Sequence, residues 1–187
     1  HPAKGALEVE QGFNTFNWNM RYPDAKTFEG LILWGGGLNG PEAVPGTYQV
    51  ILKVNDDQQE QTFKILADPR WDATQADVEA QFEFLMSVRD KLTETHETIT
   101  QIREIRSQLN TVVDKVKGDD SKQDIVDFAE EIDSKITEIE KELYQTKNQS
   151  RQDPLNYPIK LNNKLANVGS QVSYGNYRPT EQAYNFK

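Results

Sequence analysis

The spacing of hydrophobic residues changes near residue 70, from alternation to a helical period. Residues 46–54 alternate in a way that is typical of a half-buried strand, with one face formed by Tyr48, Val50, Leu52 and Val54. Residues 55–57 are polar and favour a turn, and residues 61–67 form a second alternating run. The pattern predicts a β-hairpin.

Shorter patterns predict up to three more strands in this half of the chain. Phe16 and Trp18 alternate with polar neighbours within residues 13–19, and residues 31–34 form a short apolar run. A further short strand is predicted near residues 6–9. The result is an antiparallel β domain of at most five strands, which is expected to be incomplete and to have an unpaired edge strand. An unpaired edge strand promotes pairing with another chain.

A long first helix is predicted over residues 74–117. Thr74 and Asp77 resemble a capping box, in which both side chains satisfy free amides of the first turn. Eight of ten heptad positions along this helix are apolar, which is typical of a coiled coil. The ten are Leu85, Val88, Leu92, Thr95, Ile99, Ile102, Arg106, Leu109, Val113 and Val116.

A second helix is predicted over residues 122–147, because Gly118 ends the first one. Its apolar seam contains Ile125, Ala129, Ile132, Ile136, Ile139 and Leu143. The short link between the two helices forces them to run antiparallel. A third helix is predicted near residues 161–172, and Thr180 begins a fourth.

Together these patterns predict an α+β multidomain fold. Residues 1–70 form the β domain, and residues 71–187 form a coiled-coil-like antiparallel bundle of three helices plus the start of a fourth. The second helix is too short to cover the base of the first, where Phe82 and Leu85 lie. We therefore expect this base to pack against the β domain.

Composition and charge exclude several function classes. The chain has 187 residues, a formal net charge of −9 and no cysteine, so disulfides and thiolate chemistry are excluded. Residues 71–148 hold 19 acidic and 10 basic side chains, which repel a polyphosphate backbone, so no nucleic-acid binding is expected. No run approaches about 18 apolar residues, so no membrane span is expected.

No motif predicts a cofactor or a metal ion. The glycines of residues 35–40 are followed by Pro41 and not by the Lys and Ser or Thr of a phosphate loop, which favours a structural loop over a ligand loop. His96 lies beside the heptad seam without a second histidine at ligand spacing, and it is interpreted as a half-exposed flank residue. No cofactor, metal ligand or catalytic residue is assigned.

Three acidic residues lie in aromatic-rich loops, as carboxylates of sugar sites often do: Asp24, Glu29 and Glu42. Glycoside hydrolysis requires two carboxyl groups at a defined separation, which the sequence alone does not give. Solvated turns are therefore the favoured interpretation of all three residues.

The remaining hypothesis for a ligand site is an aromatic platform of Trp18 and Trp34 with Arg21 and Asp24. The alternative is that these tryptophans, with Trp71, are large core residues of a small sheet, and this alternative is favoured. Arg21 is expected to form a structural ion pair, with Asp24 or Asp68 as its partner.

Several strings of residues together resemble a known family. They are residues 12–25, which contain a Gly-x-Asn-x-x-x-Trp motif, residues 29–36, the Pro-Gly-Thr-Tyr of residues 45–48, residues 67–70 and residues 153–165. The chain resembles the C-terminal region of secreted bacterial proteins built on sortilin-like, neuraminidase-type repeat propellers and labelled glycosyl hydrolases. The first and third strings also resemble the immunoglobulin-like domain of flagellar hook-capping proteins, which implies a partial immunoglobulin-like β-sandwich over residues 1–70.

The resemblance implies a non-catalytic accessory or scaffold module whose partner is the upstream propeller of the same polypeptide. The start at His1, without a Met or a signal segment, indicates a fragment or a processed product. The family implies a secreted, periplasmic or cell-surface location. Other interpretations stay open: loop residues that contribute to a glycoside hydrolase active site, a helical adaptor for partner proteins, carbohydrate binding, or a homo-oligomer through the sheet edge or the helices.

Overall fold

The long first helix is the frame of the fold. In the computed structural model, which describes residues 9–186, helix α1 runs over Gln75–Val116, 42 residues, or about 63 Å. Thr74 accepts a hydrogen bond from the backbone N–H of Asp77, whose carboxylate accepts one from the backbone N–H of Thr74. This reciprocal pair confirms the predicted capping box.

Helix α2, over Gln123–Leu143, returns antiparallel to α1 after a short 3₁₀ turn at Asp120–Lys122. The direction follows from two ion pairs, since Arg103 of α1 meets Glu140 while the later Arg106 meets the earlier Asp133. The predicted second helix is therefore confirmed, although it ends four residues earlier than expected.

Two further helices complete the helical part: α3 over Leu161–Val172 and α4 over Glu181–Phe186. The main core lies between α1 and α3, with contributions from Ala25 and Ala183, and its largest members are Phe84, Val88, Leu92 and Leu165. Gly169 lets α3 approach closely, since a Cβ there would lie 3.0 Å from Val88 Cγ1.

The sheet is a single hairpin of β1, Gly46–Val54, and β2, Asp57–Ile65. Its antiparallel register is continuous, from Gly46 opposite Ile65 to Val54 opposite Asp57. The turn contains only residues 55 and 56, and Asn55 has a φ of 53°, a conformation that suits a tight hairpin. The return strand therefore begins at Asp57, four residues before the predicted run.

The immunoglobulin-like sandwich predicted for residues 1–70 is wrong, because β1 and β2 are the only strands within residues 9–186. Residues 13–19 form no strand, since the side chain of Asn14 bonds the backbone of Glu10 and Gly12. The predicted strand near residues 6–9 falls almost entirely outside the described residues. The mixed α+β character of the chain is confirmed in its coarser form.

Residues 20–43, here called the extended segment, run along the helices and double back on themselves. The outgoing and returning arms are joined by backbone hydrogen bonds from Tyr22 N to Pro41 O (2.9 Å) and from Ala25 N to Leu38 O (2.8 Å). Gly40 is required at this contact, since a Cβ there would lie 2.0 Å from Tyr22 O.

Candidate functional site

Buried polar side chains are the first candidates for a functional site, because each of them requires a hydrogen-bond partner. Five of them lie within the described residues, on α1, α2 and α3: Gln81, His96, Glu140, Asn162 and Asn163. Each of the five is engaged, directly or through a neighbour, in holding a segment other than its own. Gln81, for example, donates from its amide to the carbonyls of Val172 (2.7 Å) and Gly175 (2.9 Å) at the end of α3.

His96 is fully buried, with 0% of its surface exposed, so its interpretation as a half-exposed flank residue is wrong. Its Nδ1 lies 2.6 Å from the carbonyl oxygen of Lys26, which requires a proton on Nδ1. Its Nε2 lies 3.4 Å from the amide nitrogen of Asn162, which donates to it. Burial lowers the pKa of His96, in keeping with a neutral ring that ties the extended segment to α1 and α3.

Residues 30–34 are held by side chains of the helices and not by a second strand. The Tyr144 hydroxyl donates to Gly30 O (3.0 Å) and accepts from Ile32 N (3.1 Å), and burial raises the pKa of this phenol. The amide of Asn163 accepts from Trp34 N (2.7 Å) and donates to Trp34 O (3.0 Å). The strand predicted over residues 31–34 is wrong for this reason, since these backbone groups already have partners.

Glu140 joins α2 to two arginines of α1. Only 4% of its surface is exposed, and its two oxygens accept from Arg103 Nε (2.9 Å) and Arg106 Nη1 (2.8 Å). Arg103 also donates from Nη1 to Glu29 O (3.0 Å), and its guanidinium lies 4.7 Å from the centre of the Phe28 ring. The ion pair thus reaches the extended segment through hydrogen bonding and a cation–π contact.

We call these side chains the polar clamp: His96, Arg103, Arg106, Glu140, Tyr144, Asn162 and Asn163. The arrangement immobilises backbone, and its buried carboxylate is fully engaged by two guanidinium groups. Within residues 9–186 no group of three or more His, Cys, Asp or Glu side chains could hold a metal ion. The clamp contains no nucleophile paired with a base, which acyl transfer requires, and only one carboxylate, whereas glycoside hydrolysis typically uses two.

The residues of the hypothetical aromatic platform lie in different surroundings. Trp18 packs edge-on against Phe63 of the hairpin, with ring centres 6.3 Å apart, whereas Trp34 is fixed to α3 through Asn163. Arg21 pairs with Glu42 and not with either predicted partner, and Asp24 accepts from Gly40 N (2.9 Å). Ligand binding by Trp18, Trp34, Arg21 and Asp24 stays a prediction.

A groove of about 750 Å³ lies between the extended segment, the end of the hairpin, α1 and α3. Its volume is in the range of small-molecule sites. Its three arginines are engaged, since Arg21 pairs with Glu42, Arg70 with Asp68 and Arg89 with Asp90. Arg89 Nε is buried without a hydrogen-bond partner among the described residues. The groove therefore offers mainly apolar surface.

The alternation predicted a half-buried strand, but the structure leaves most of the apolar face of β1 exposed. Val50, Leu52 and Val54 are 51%, 49% and 55% exposed. Trp18 and Tyr48 cover only the base of this face, with ring centres 5.8 Å apart, and Trp18 also donates from Nε1 to Arg21 O (3.2 Å). The hairpin is thus attached to the extended segment at its base, while the rest of its apolar face is open.

The sequence analysis does not predict Glu140 and its partners, because the predicted seam of the second helix contains apolar residues only. Ile139 is 51% exposed, and the residues that face α1 follow 4-3-4-3 spacing: Ala129, Asp133, Ile136, Glu140 and Leu143. One feature of the sequence does indicate an acidic partner on the second helix: Arg106 occupies a heptad core position of the first helix, where a buried charge requires a partner of opposite sign. Nothing in one sequence identified Asn163 or Tyr144.

Comparison with known proteins adds no assignment, since no family model, curated protein or solved structure matches the chain. The resemblance to sortilin-like propeller proteins stays a prediction. None of the helices within residues 9–186 has the length and apolar character needed to cross a membrane.

Proposed function

We propose that the chain is a non-catalytic scaffold module of a larger secreted propeller protein of the type labelled glycosyl hydrolase. In this function the helices form a rigid body, the extended segment is fastened to that body, and the hairpin is presented at a fixed position to neighbouring β structure. The proposal includes the upstream propeller as the neighbour and an extracytoplasmic location, both of which come from the family resemblance.

One observation carries the proposal: Gln81, His96 and Asn163 bond directly to the backbone of another segment. The other two buried polar side chains, Glu140 and Asn162, bond the side chains of Arg103 and His96, so none of the five is left free for a substrate. Buried polar groups cost free energy unless they are hydrogen-bonded. A bonded network of this size therefore favours one geometry of the chain over others. A catalytic site typically shows the opposite arrangement, with titratable groups directed into an open pocket.

The loop-acid alternative has less support. Asp24 is engaged with the backbone of Gly40, and Glu42 with the side chain of Arg21. Glu29 is exposed, and Arg103 contacts its backbone oxygen and not its carboxylate. Turnover of a glycoside by the isolated chain, abolished by Glu29→Gln or Asp24→Asn, would favour this alternative over the scaffold.

The scaffold proposal requires the hairpin to keep a fixed orientation on the helices. Because the chain has no cysteine, spin labels can be placed at Asp56→Cys in the hairpin turn and Lys115→Cys near the end of α1. Double electron–electron resonance, with an excess of unlabelled chain, is expected to give one narrow distance distribution. Trp18→Ala removes the ring that joins the hairpin to the extended segment and should broaden the distribution. A broad distribution in the chain with intact Trp18 would contradict the proposal.

A further inference from the structure

The two edges of the hairpin differ in chemistry. Strand β1 carries a single charged residue, Lys53, and its central residues 48–52 contain no charge and no proline. Strand β2 begins with six polar residues, among them Asp57 and Glu60. Charges, prolines and bulges are the devices that keep an edge strand from pairing, and the continuous register of the hairpin excludes a bulge. The β1 edge is therefore the unprotected one.

We propose that the β1 edge pairs with the β1 edge of a second copy of this chain, antiparallel about a two-fold axis through Val50. Alternate residues of β1 direct their N–H and C=O groups away from β2, and no strand within residues 9–186 meets them. The pairing satisfies these groups and extends two hairpins into one four-stranded sheet. The inference goes beyond the scaffold function and does not depend on it.

The sequence of β1 is self-complementary in this register. With Val50 facing its own copy, all nine residues of the strand overlap, and Tyr48 lies opposite Leu52 of the second copy on the apolar face. Lys53, the only charge of the strand, lies opposite the uncharged Thr47 of the second copy. No like charges meet, and the exposed apolar stripes of the two copies become adjacent.

Electrostatics sets the strength of the pairing. Each chain carries a net charge of −9, so the two copies repel one another at long range, although the hairpin itself is nearly neutral. Salt screens this repulsion without weakening apolar contacts. We therefore expect a weak dimer, typical of a small interface, whose association increases when salt rises from about 0.05 M to about 0.5 M.

The register can be tested by disulfide capture in the full chain. Directly opposite residues of an antiparallel pair have Cα atoms about 4.5–5.5 Å apart, within the range of a disulfide. Mild oxidation of the Val50→Cys variant is expected to give a covalent dimer. Gln61→Cys is the matched control, because Gln61 lies directly opposite Val50 on the same face but on the other edge. Its cross-linking should be at least about tenfold slower.

A charge exchange tests the same contact without a covalent bond. Sedimentation equilibrium of the unaltered chain, from about 10 µM to about 1 mM, is expected to show exchange between the 21.4 kDa monomer and its dimer. Val50→Lys should weaken association at least about tenfold, as should Val50→Glu. Mixing these two variants should restore it, because lysine then faces glutamate, whereas Gln61→Lys should leave association unchanged.

Restored association in the mixture also shows that both variants fold, since an unfolded variant could not pair. A chain that stays monomeric over the whole concentration range would overturn the proposal, and would leave a strand of a different protein as the occupant of this edge. A dimer that survives Val50→Lys would also overturn it, because association would then occur through the helices or the groove. Equal cross-linking at positions 50 and 61 would contradict the register.

Discussion

At the scale of single residues, the interior of this protein is defined by a few polar contacts. Glu140 is buried between α1 and α2, and its carboxylate is stabilised there by two guanidinium groups. A buried ion pair of this kind gives little net stability relative to an apolar contact, but removal of one member leaves the other charge uncompensated. We therefore expect it to act on specificity, by favouring one register of α2 against α1.

Glu140→Ala is predicted to lower the free energy of unfolding by about 2–3 kcal/mol, as measured by urea denaturation. The expected loss is smaller than for a fully buried pair, because the side chains of Arg103 and Arg106 are 37% and 27% exposed and water can solvate them. Glu138→Ala, at an exposed position of the same helix, is the control and should change stability by less than about 0.5 kcal/mol.

His96 is predicted to make stability depend on pH in a window that begins at about 6.5 and extends to lower pH. Burial lowers its pKa in the folded state, so below the ordinary value of about 6.5 the unfolded chain binds more protons than the folded one. Stability therefore falls as pH falls through this window. The carboxyl of Asp153, whose pKa is lowered by the backbone N–H groups of Gln149 and Ser150, titrates below it.

The measurement is the free energy of unfolding as a function of pH for the unaltered chain, His96→Gln and His1→Gln. His96→Gln should flatten the slope below about pH 6.5, while His1→Gln should retain it. An unchanged slope in His96→Gln would mean that another group titrates in this window.

At the scale of elements, local patterns predicted the helices and the hairpin well. The start of α1 could be assigned from Thr74 and Asp77, because capping depends on residues three apart in sequence. The extended segment could not be predicted, because its hydrogen bonds go to Tyr144 and Asn163, more than a hundred residues away. An apolar run such as residues 31–34 looks like a strand until its distant partners are known.

The base of α1 illustrates the same limit. Its apolar residues do pack on another element, as the length of the helix required, but the partners are the extended segment and α3. The ring of Phe82 meets Tyr22 with centres 4.8 Å apart, and Val88 packs among the residues of α3. The length of α1 predicts that the apolar residues at its base pack on another element. Which element this is depends on long-range packing and does not follow from the local sequence.

The hairpin is predicted to be dispensable for the fold of the helices. Its residues are exposed along almost the whole of both strands, and an isolated two-stranded hairpin adds little stability. Replacement of residues 46–65 by a short Gly-Ser linker should keep the helical circular dichroism signal and shift Tm by less than about 4 °C. A loss of helical signal would show that the sheet belongs to the core.

At the scale of the whole molecule, the acidic helices, the extended segment and the hairpin form a layered arrangement. The α1–α3 core and the α1–α2 ion pairs join the helices, the polar clamp fastens residues 26–34 to them, and the hairpin is attached through Trp18 at its base. We expect the polar clamp to make the extended segment as stable as the helices that hold it.

Hydrogen exchange at the amides of Ile32 and Trp34 measures the stability of this attachment, because these N–H groups donate to Tyr144 Oη and Asn163 Oδ1. In the full chain both amides should be protected to nearly the free energy of global unfolding, like the buried part of α1. Tyr144→Phe with Asn163→Ala should remove that protection while the amides of residues 84–102 stay protected. Rapid exchange of Ile32 and Trp34 in the unaltered chain would contradict the account.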